Sequence, residues 1–428
     1  MNASRGFTRR ILFAVVLILL GAAVHSAPSG LRGRLIVGYQ GWFGCPDDYL
    51  GNKQWHHWFE GQTEPKALTV DILPSLRAFA SQDLCDTGLK RGDGSVVYVF
   101  SSQNPIIVRK HFEWLQTYGI DGVAFQRFIS HTRQPDLKKR SDNVLNNVRQ
   151  SAERFGRVFY VTYDISGADP DTVAADLRAD WKYLTDNLKL TQSGAYLRHN
   201  GQPVVQLWGF GFKDRAGTAA EAGQLISELQ TGRTGLTKAT VVGGVPAGWR
   251  TLTADSRTEP EWAKVYRSYD FISPWSVGRY ADEPGADNFR RVYLEPDAAE
   301  TRRLGIGYMP VVFPGFSWRN LMHNRGQAGK AILNQIPRRC GNFMWRQVVN
   351  VLESRADSLY AAMFDEVDEG TAVFALESRG GREPAGAAML SLQQDGCVLP
   401  DDWYLRVTQE AARAMRGQVT PNKSLKLP

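Results

Sequence analysis

Four carboxylates fall within five residues at Asp365, Glu366, Asp368 and Glu369, directly after the apolar run 359–364. Crowded carboxylates repel one another and lose hydration at the edge of a core, so such a cluster is costly unless it serves chemistry. The chemistry that wants two neighbouring carboxyls is acid/base work, in which one group keeps its proton while the other ionises near neutral pH. Hydrolysis of a glycosidic bond uses such a pair, and Glu366 and Glu369 are the candidate catalytic residues. Along a strand, positions three apart face opposite sides. On a tight turn just past a strand, marked here by Gly370, both can enter one pocket. The competing reading is a helix N-terminus whose acids merely complement the macrodipole.

The elements that must hold this turn are legible as short apolar runs of the buried, parallel kind at 35–40, 121–126, 158–164, 203–208, 239–244, 271–275, 305–312 and 359–366. Helical spacing of apolar residues separates several of them, at 107–118, 141–155, 174–188, 219–229 and 296–304. Gly119 and Gly156 stand where left-handed C-caps belong. Alternation of this kind predicts the α/β class and a closed (β/α)8 TIM barrel. A long excursion, 44–103, follows the first strand and contains one more strand-like run, 95–102. No repeat or linker divides residues 27–428, which read as one barrel domain closed by a final helix at 403–416.

Barrels of this type gather their functional residues at the C-terminal strand ends. Those ends offer Tyr39, Gln40 and Trp42, then Gln126 and Arg127, Tyr163 and Asp164, Trp208, Trp249, Trp275, and Trp318 on the loop after the seventh run. Flat aromatic faces beside amides and acids suit sugar rings, and ordinary aromatic packing is the plainer alternative. Within the excursion, His57 and Trp58 join the substrate-binding candidates. Adjacent His56 and His57 diverge and chelate poorly, so no metal site and no cofactor are expected. A metal-dependent hydrolase using His56, His57 and Asp164 is the lowest-ranked reading.

Three of the +7 formal charges come from Arg5, Arg9 and Arg10, ahead of an apolar stretch at 11–24 and small residues. Residues 1–26 therefore read as a signal peptide, with a periplasmic or secreted product that has no membrane segment once the signal is removed. Short basic clusters such as 138–140 do not make a nucleic-acid stripe. Four cysteines in an oxidising compartment suggest two disulfides, and Cys45–Cys85 with Cys340–Cys397 is the favoured pairing among three.

Several of these stretches together resemble the glycoside hydrolase family 99 and 71-like barrels, typified by endo-acting α-mannosidases. The likeness lies in Gly38-Tyr39-Gln40-Gly41-Trp42-Phe43-Gly44 with Trp55-His56-His57-Trp58-Phe59, in Tyr98 to Pro105 with Gly119 to Phe125, and in Phe313-Pro314-Gly315-Phe316, Phe343-Met344-Trp345 and Phe364 to Thr371. The last of these is similar to the family's Glu-Trp-His-Glu-Gly, with both glutamates and the glycine in register. The resemblance implies a retaining glycosidase in which Glu366 assists the substrate 2-hydroxyl and Glu369 is the acid/base. Val367-Asp368 stands in place of Trp-His, and Gln126-Arg127 where the family has Ser-Trp, so the expected substrate is an oligo- or polysaccharide rather than mannan in particular. A non-catalytic carbohydrate-binding barrel is the alternative.

Overall fold

A computed structural model describes residues 30–48, 53–426 and 428; the expected signal peptide lies outside them. Eight parallel strand positions close into a (β/α)8 barrel. They are Leu35–Tyr39, Gly122–Phe128, Val158–Asp164, Gln202–Trp208, Thr240–Val245, Phe271–Pro274, 307–312 and Leu359–Ala361, in that order around the ring. The seventh is broken by Met309-Pro310. Its first half pairs with the sixth strand at Gly307 and Tyr308, its second half with the eighth at Val311 and Val312. Proline donates no ladder hydrogen bond, but its carbonyl accepts from Tyr360 N at 3.0 Å, so closure survives the break. Leu35–Tyr39 then joins the eighth strand on one side and Gly122–Phe128 on the other, completing the ring.

Helices cover the outside where the apolar period places them. Pro105–Thr117 is capped by Asn104, whose side chain accepts from Ile106 N, and Pro135–Phe155 ends on Gly156 at φ 60°. Val173–Lys182 and Ala219–Thr231 follow, the latter opened by a Thr218/Glu221 capping box. The sequence expectations include no helix between the seventh and eighth strands, and the structure has one, Asn342–Glu353. Trp403–Met415 closes the chain against the barrel.

The excursion is an addition to the barrel, not one of its staves. Its run at 95–102 contributes Val96–Val99 to an antiparallel hairpin with Cys85–Lys90. The Cys45–Cys85 disulfide ties that hairpin to the first strand's loop, and Cys340–Cys397 ties the C-terminal segment to the turn before Asn342–Glu353. Among the described residues no helix is long and apolar enough to cross a membrane.

Candidate active site

The eighth strand stops at Ala361, five residues short of the expected end. The chain leaves the ladder because it pairs with its own return: Met363 N donates to Thr371 O and Val373 N to Met363 O. The acids therefore sit on a loop, 363–374, folded back over the barrel mouth. Two anchors hold it. Asp365, fully buried, accepts from the backbone N–H groups of Gln40 and Gly41, each at 2.8 Å. Arg338, also buried, donates to the carbonyls of Gly370 and Ala372 at 2.7 and 2.8 Å and stacks over Tyr404. Gly370 takes φ 65°, and a side chain there would press on the Ser317 backbone.

Between these anchors the two glutamates occupy different environments. Glu366 is buried; its Oε1 accepts from Gln40 Nε2 and its Oε2 from Thr371 Oγ1, both at 2.7 Å. Burial, reinforced by the negative charges of Glu369 and Asp368, raises its carboxyl well above the ordinary range, against the pull of the two donors. Glu369 is half-buried on the outer side of the turn, with its backbone carbonyl held by Ser317 N at 2.9 Å. Burial and the neighbouring Asp368 raise it as well, while the Arg325 guanidinium pulls it down and Asp164 pushes it up. That Asp164 acts on Glu369 places the third strand's end on the same mouth. Asp164 accepts from Gln126 Nε2 and Ser166 N, each at 2.7 Å.

Asp368 is buried behind the pair, its Oδ2 bonded to His57 Nδ1 at 2.9 Å. The His57 ring lies flat on Trp42, centroids 4.0 Å apart and 4° from parallel, and Phe128 also stacks on Trp42, at 5.6 Å and 27°. Trp208 and Trp275 meet edge to face at 5.4 Å. Around this mouth four buried polar atoms lack a protein partner: Gln40 Oε1, Trp42 Nε1, Trp208 Nε1 and Asp368 Oδ1. Buried polar groups are seldom left unpaired, so a ring of such atoms between aromatic faces suits a ligand rich in hydroxyls.

The structure brings together Gln40, Trp42, His57, Gln126, Asp164, Glu366 and Glu369. It turns five other candidates away. Gln126 faces inward, so its neighbour Arg127 must face out, where it pairs with Asp180 at 2.6 Å and Asp142 at 2.8 Å. Tyr163 points the same way, donating to Asp180 at 3.0 Å, and Tyr39 bonds His111 of the Pro105–Thr117 helix at 2.9 Å. Trp58 is wholly buried in the excursion, its Nε1 donating to Phe100 O. Trp249 also lies in the helical layer, bonded to Asp297. Trp318 sits beside Ser317 on the loop backing Glu369 and donates to Gln335. Sequence reasoning missed Thr371, for which its place after Gly370 was the only signal, and Arg325, for which there was none. Among the described residues no cluster of three or more His, Cys, Asp or Glu side chains is placed to hold a metal ion.

By fold the chain is a closed (β/α)8 barrel, with an acid-bearing turn and aromatic side chains at the C-terminal rim of its strands. Among solved structures it is similar to two of the GH99 endo-alpha-mannosidase from Bacteroides thetaiotaomicron. These give a TM-score of 0.64 each at 16% and 15% identity, covering 90% and 91% of this chain and 98% and 99% of the other. A glycoside hydrolase-like protein also matches, with a TM-score of 0.50 at 12% identity over 83% of this chain and 98% of the other. No protein-family model and no curated protein sequence matches the chain.

Proposed function

We propose that the protein is an exported glycoside hydrolase that cleaves a glycosidic bond in a polysaccharide or glycan, with retention, through Glu366 and Glu369. The observation that supports it best is the asymmetry of the pair on one mouth. Both carboxyls are raised, but Glu366 is deep and held by two donors, whereas Glu369 is half-buried and feels the opposing charge of Arg325. The Glu369 charge opposes ionisation of Glu366, so the two carboxyls give up their protons as a coupled pair. Glu369, on the open side, protonates the leaving oxygen. Glu366, oriented by Gln40 and Thr371, takes the role that the family resemblance implies, assisting the sugar 2-hydroxyl. The shared fold with GH99 structures supports the reaction class, and the two disulfides fit an oxidising compartment.

The test is hydrolysis of a panel of plant, fungal and bacterial polysaccharides, followed by mass of the released products. Glu369→Gln should lower turnover by about 10²–10⁴-fold without loss of folding. Unchanged hydrolysis in that variant refutes the assignment. Asp368 in place of the family's histidine favours one other reading, a barrel that binds glycans without cutting them. Release of reducing sugar by the wild-type protein excludes it.

A further inference from the structure

We infer that His57 is a specificity-determining residue that presents a bare Nε2 to the sugar as a hydrogen-bond acceptor. This deepens the glycosidase reading and rests on it for the identity of the ligand. Three independent constraints fix the ring. Asp368 Oδ2 holds Nδ1 at 2.9 Å, Trp42 lies flat against one face, and the backbone is locked in the left-handed region at φ 58°. That backbone conformation is uncommon for a residue with a side chain, and it is held from both ends. Thr69 Oγ1 donates to His57 O at 2.6 Å, and the preceding residue exchanges two 3.0 Å backbone bonds with Gly44. An ionised carboxylate offers only lone pairs, so the bond to Asp368 puts the proton of the neutral imidazole on Nδ1 and leaves Nε2 as an acceptor.

No described residue bonds Nε2. The ring forms part of the wall of a cavity of about 680 Å³ between the excursion and the helix Arg319–Asn324. Arg325, whose charge acts on Glu369, lines that same cavity. Trp55 lines it too, with its indole fixed by a 2.7 Å bond to Thr63. Asn320 and Asn324 tie the helix to the carbonyls of Val70 and Leu68, so both walls are held without a ligand. A preformed space with the aromatic side chains of Trp55 and Phe59, polar groups around them and an oriented imidazole acceptor suits a sugar whose hydroxyl can donate to Nε2.

The experiment uses the Glu369→Gln full chain with ¹⁵N-labelled histidine at pH 8.5. Long-range proton–nitrogen spectra, assigned with His57→Phe, should show the Nδ1–H tautomer and an unprotonated Nε2. Addition of a pool of mannan-, glucan- and xylan-derived tetrasaccharides should move the Nε2 signal. His57→Phe, which keeps the stack on Trp42, should weaken binding of the pool about three- to tenfold, and His57→Gln, which restores an acceptor at that reach, should recover most of it. An Nε2-protonated tautomer, or an Nε2 signal that no member of the pool moves, overturns the inference. Because the tautomer is read in a protein disabled at Glu369, the His57 assignment and the hydrolase assignment can fail separately.

Discussion

Thr371→Val is the most exacting perturbation of the acid pair. Thr371 is buried, and valine matches its shape, so packing is kept while the 2.7 Å bond to Glu366 Oε2 is removed. The hydroxyl stabilises the ionised carboxylate and does little for the neutral acid. A hydrogen bond to a charged group contributes about 1.5–3 kcal/mol, and one pKa unit corresponds to about 1.4 kcal/mol of differential interaction. The variant's Glu366 should therefore ionise about one to two units higher than the wild type's. If Glu366 must be ionised to assist the 2-hydroxyl, the ascending limb of the kcat/KM profile against pH moves up by that amount. Below the limb the rate falls about tenfold or more, while at high pH it approaches the wild-type value. The assay is initial-rate hydrolysis across pH on whichever polysaccharide the wild type cleaves, with denaturant unfolding as a control for folding. An ascending limb at the wild-type position would show that Glu366 is not the group whose ionisation limits the reaction.

Other parts of the structure make separate predictions. Gln40→Leu removes the second donor to Glu366 and should move the same limb in the same direction, without further effect on a variant in which Glu366 is already replaced by Gln. Asp365→Ala leaves the buried N–H groups of Gln40 and Gly41 unpaired and should cost about 2–5 kcal/mol in denaturant unfolding; a loss below 1 kcal/mol contradicts its role as an anchor. His111 is buried among aromatic rings, and burial lowers its pKa to about 3 from 6.5. An unfolded chain binds this proton as pH falls below 6.5 and the folded chain does not, so His111 withdraws up to about 5 kcal/mol of stability between pH 6.5 and 3. His111→Phe should be less stable than wild type at pH 7, through loss of the Tyr39 bond, yet the difference should shrink or reverse toward pH 4; a gap that stays constant with pH refutes this. Replacing Cys340 and Cys397 by serine opens a crosslink spanning 57 positions and should cost about 2–5 kcal/mol with the other disulfide intact.

The barrel was readable because its strands are apolar on both faces and its helices carry a clear 3.6-residue period. The extra run at 95–102 falls in the excursion, as expected, and forms there a hairpin that the Cys45–Cys85 pair ties down. Side-chain direction was harder. Adjacent residues at a strand end, such as Gln126-Arg127 and Tyr163-Asp164, look equally eligible in a sequence, yet alternation lets only one of each pair face inward. Arg127 is decided by Asp180, which lies on a helix 53 positions away and has no local signature. The acid turn was also mis-drawn as strand through Glu366. Its real path depends on the return segment at Thr371 and Val373, whose pairing with Met363 is invisible to any two-residue period.

The bonds from Asp365 to Gln40 and Gly41, and from Gln40 to Glu366, span more than 320 positions. One half of the candidate site thus emerges from the ribosome near the start of synthesis and the other near its end. A growing chain carries the strand-end glutamine and tryptophan before Glu366 and Glu369 have been added. If Glu366 and Glu369 are the acid/base pair proposed above, activity begins only once the last strand has closed the ring.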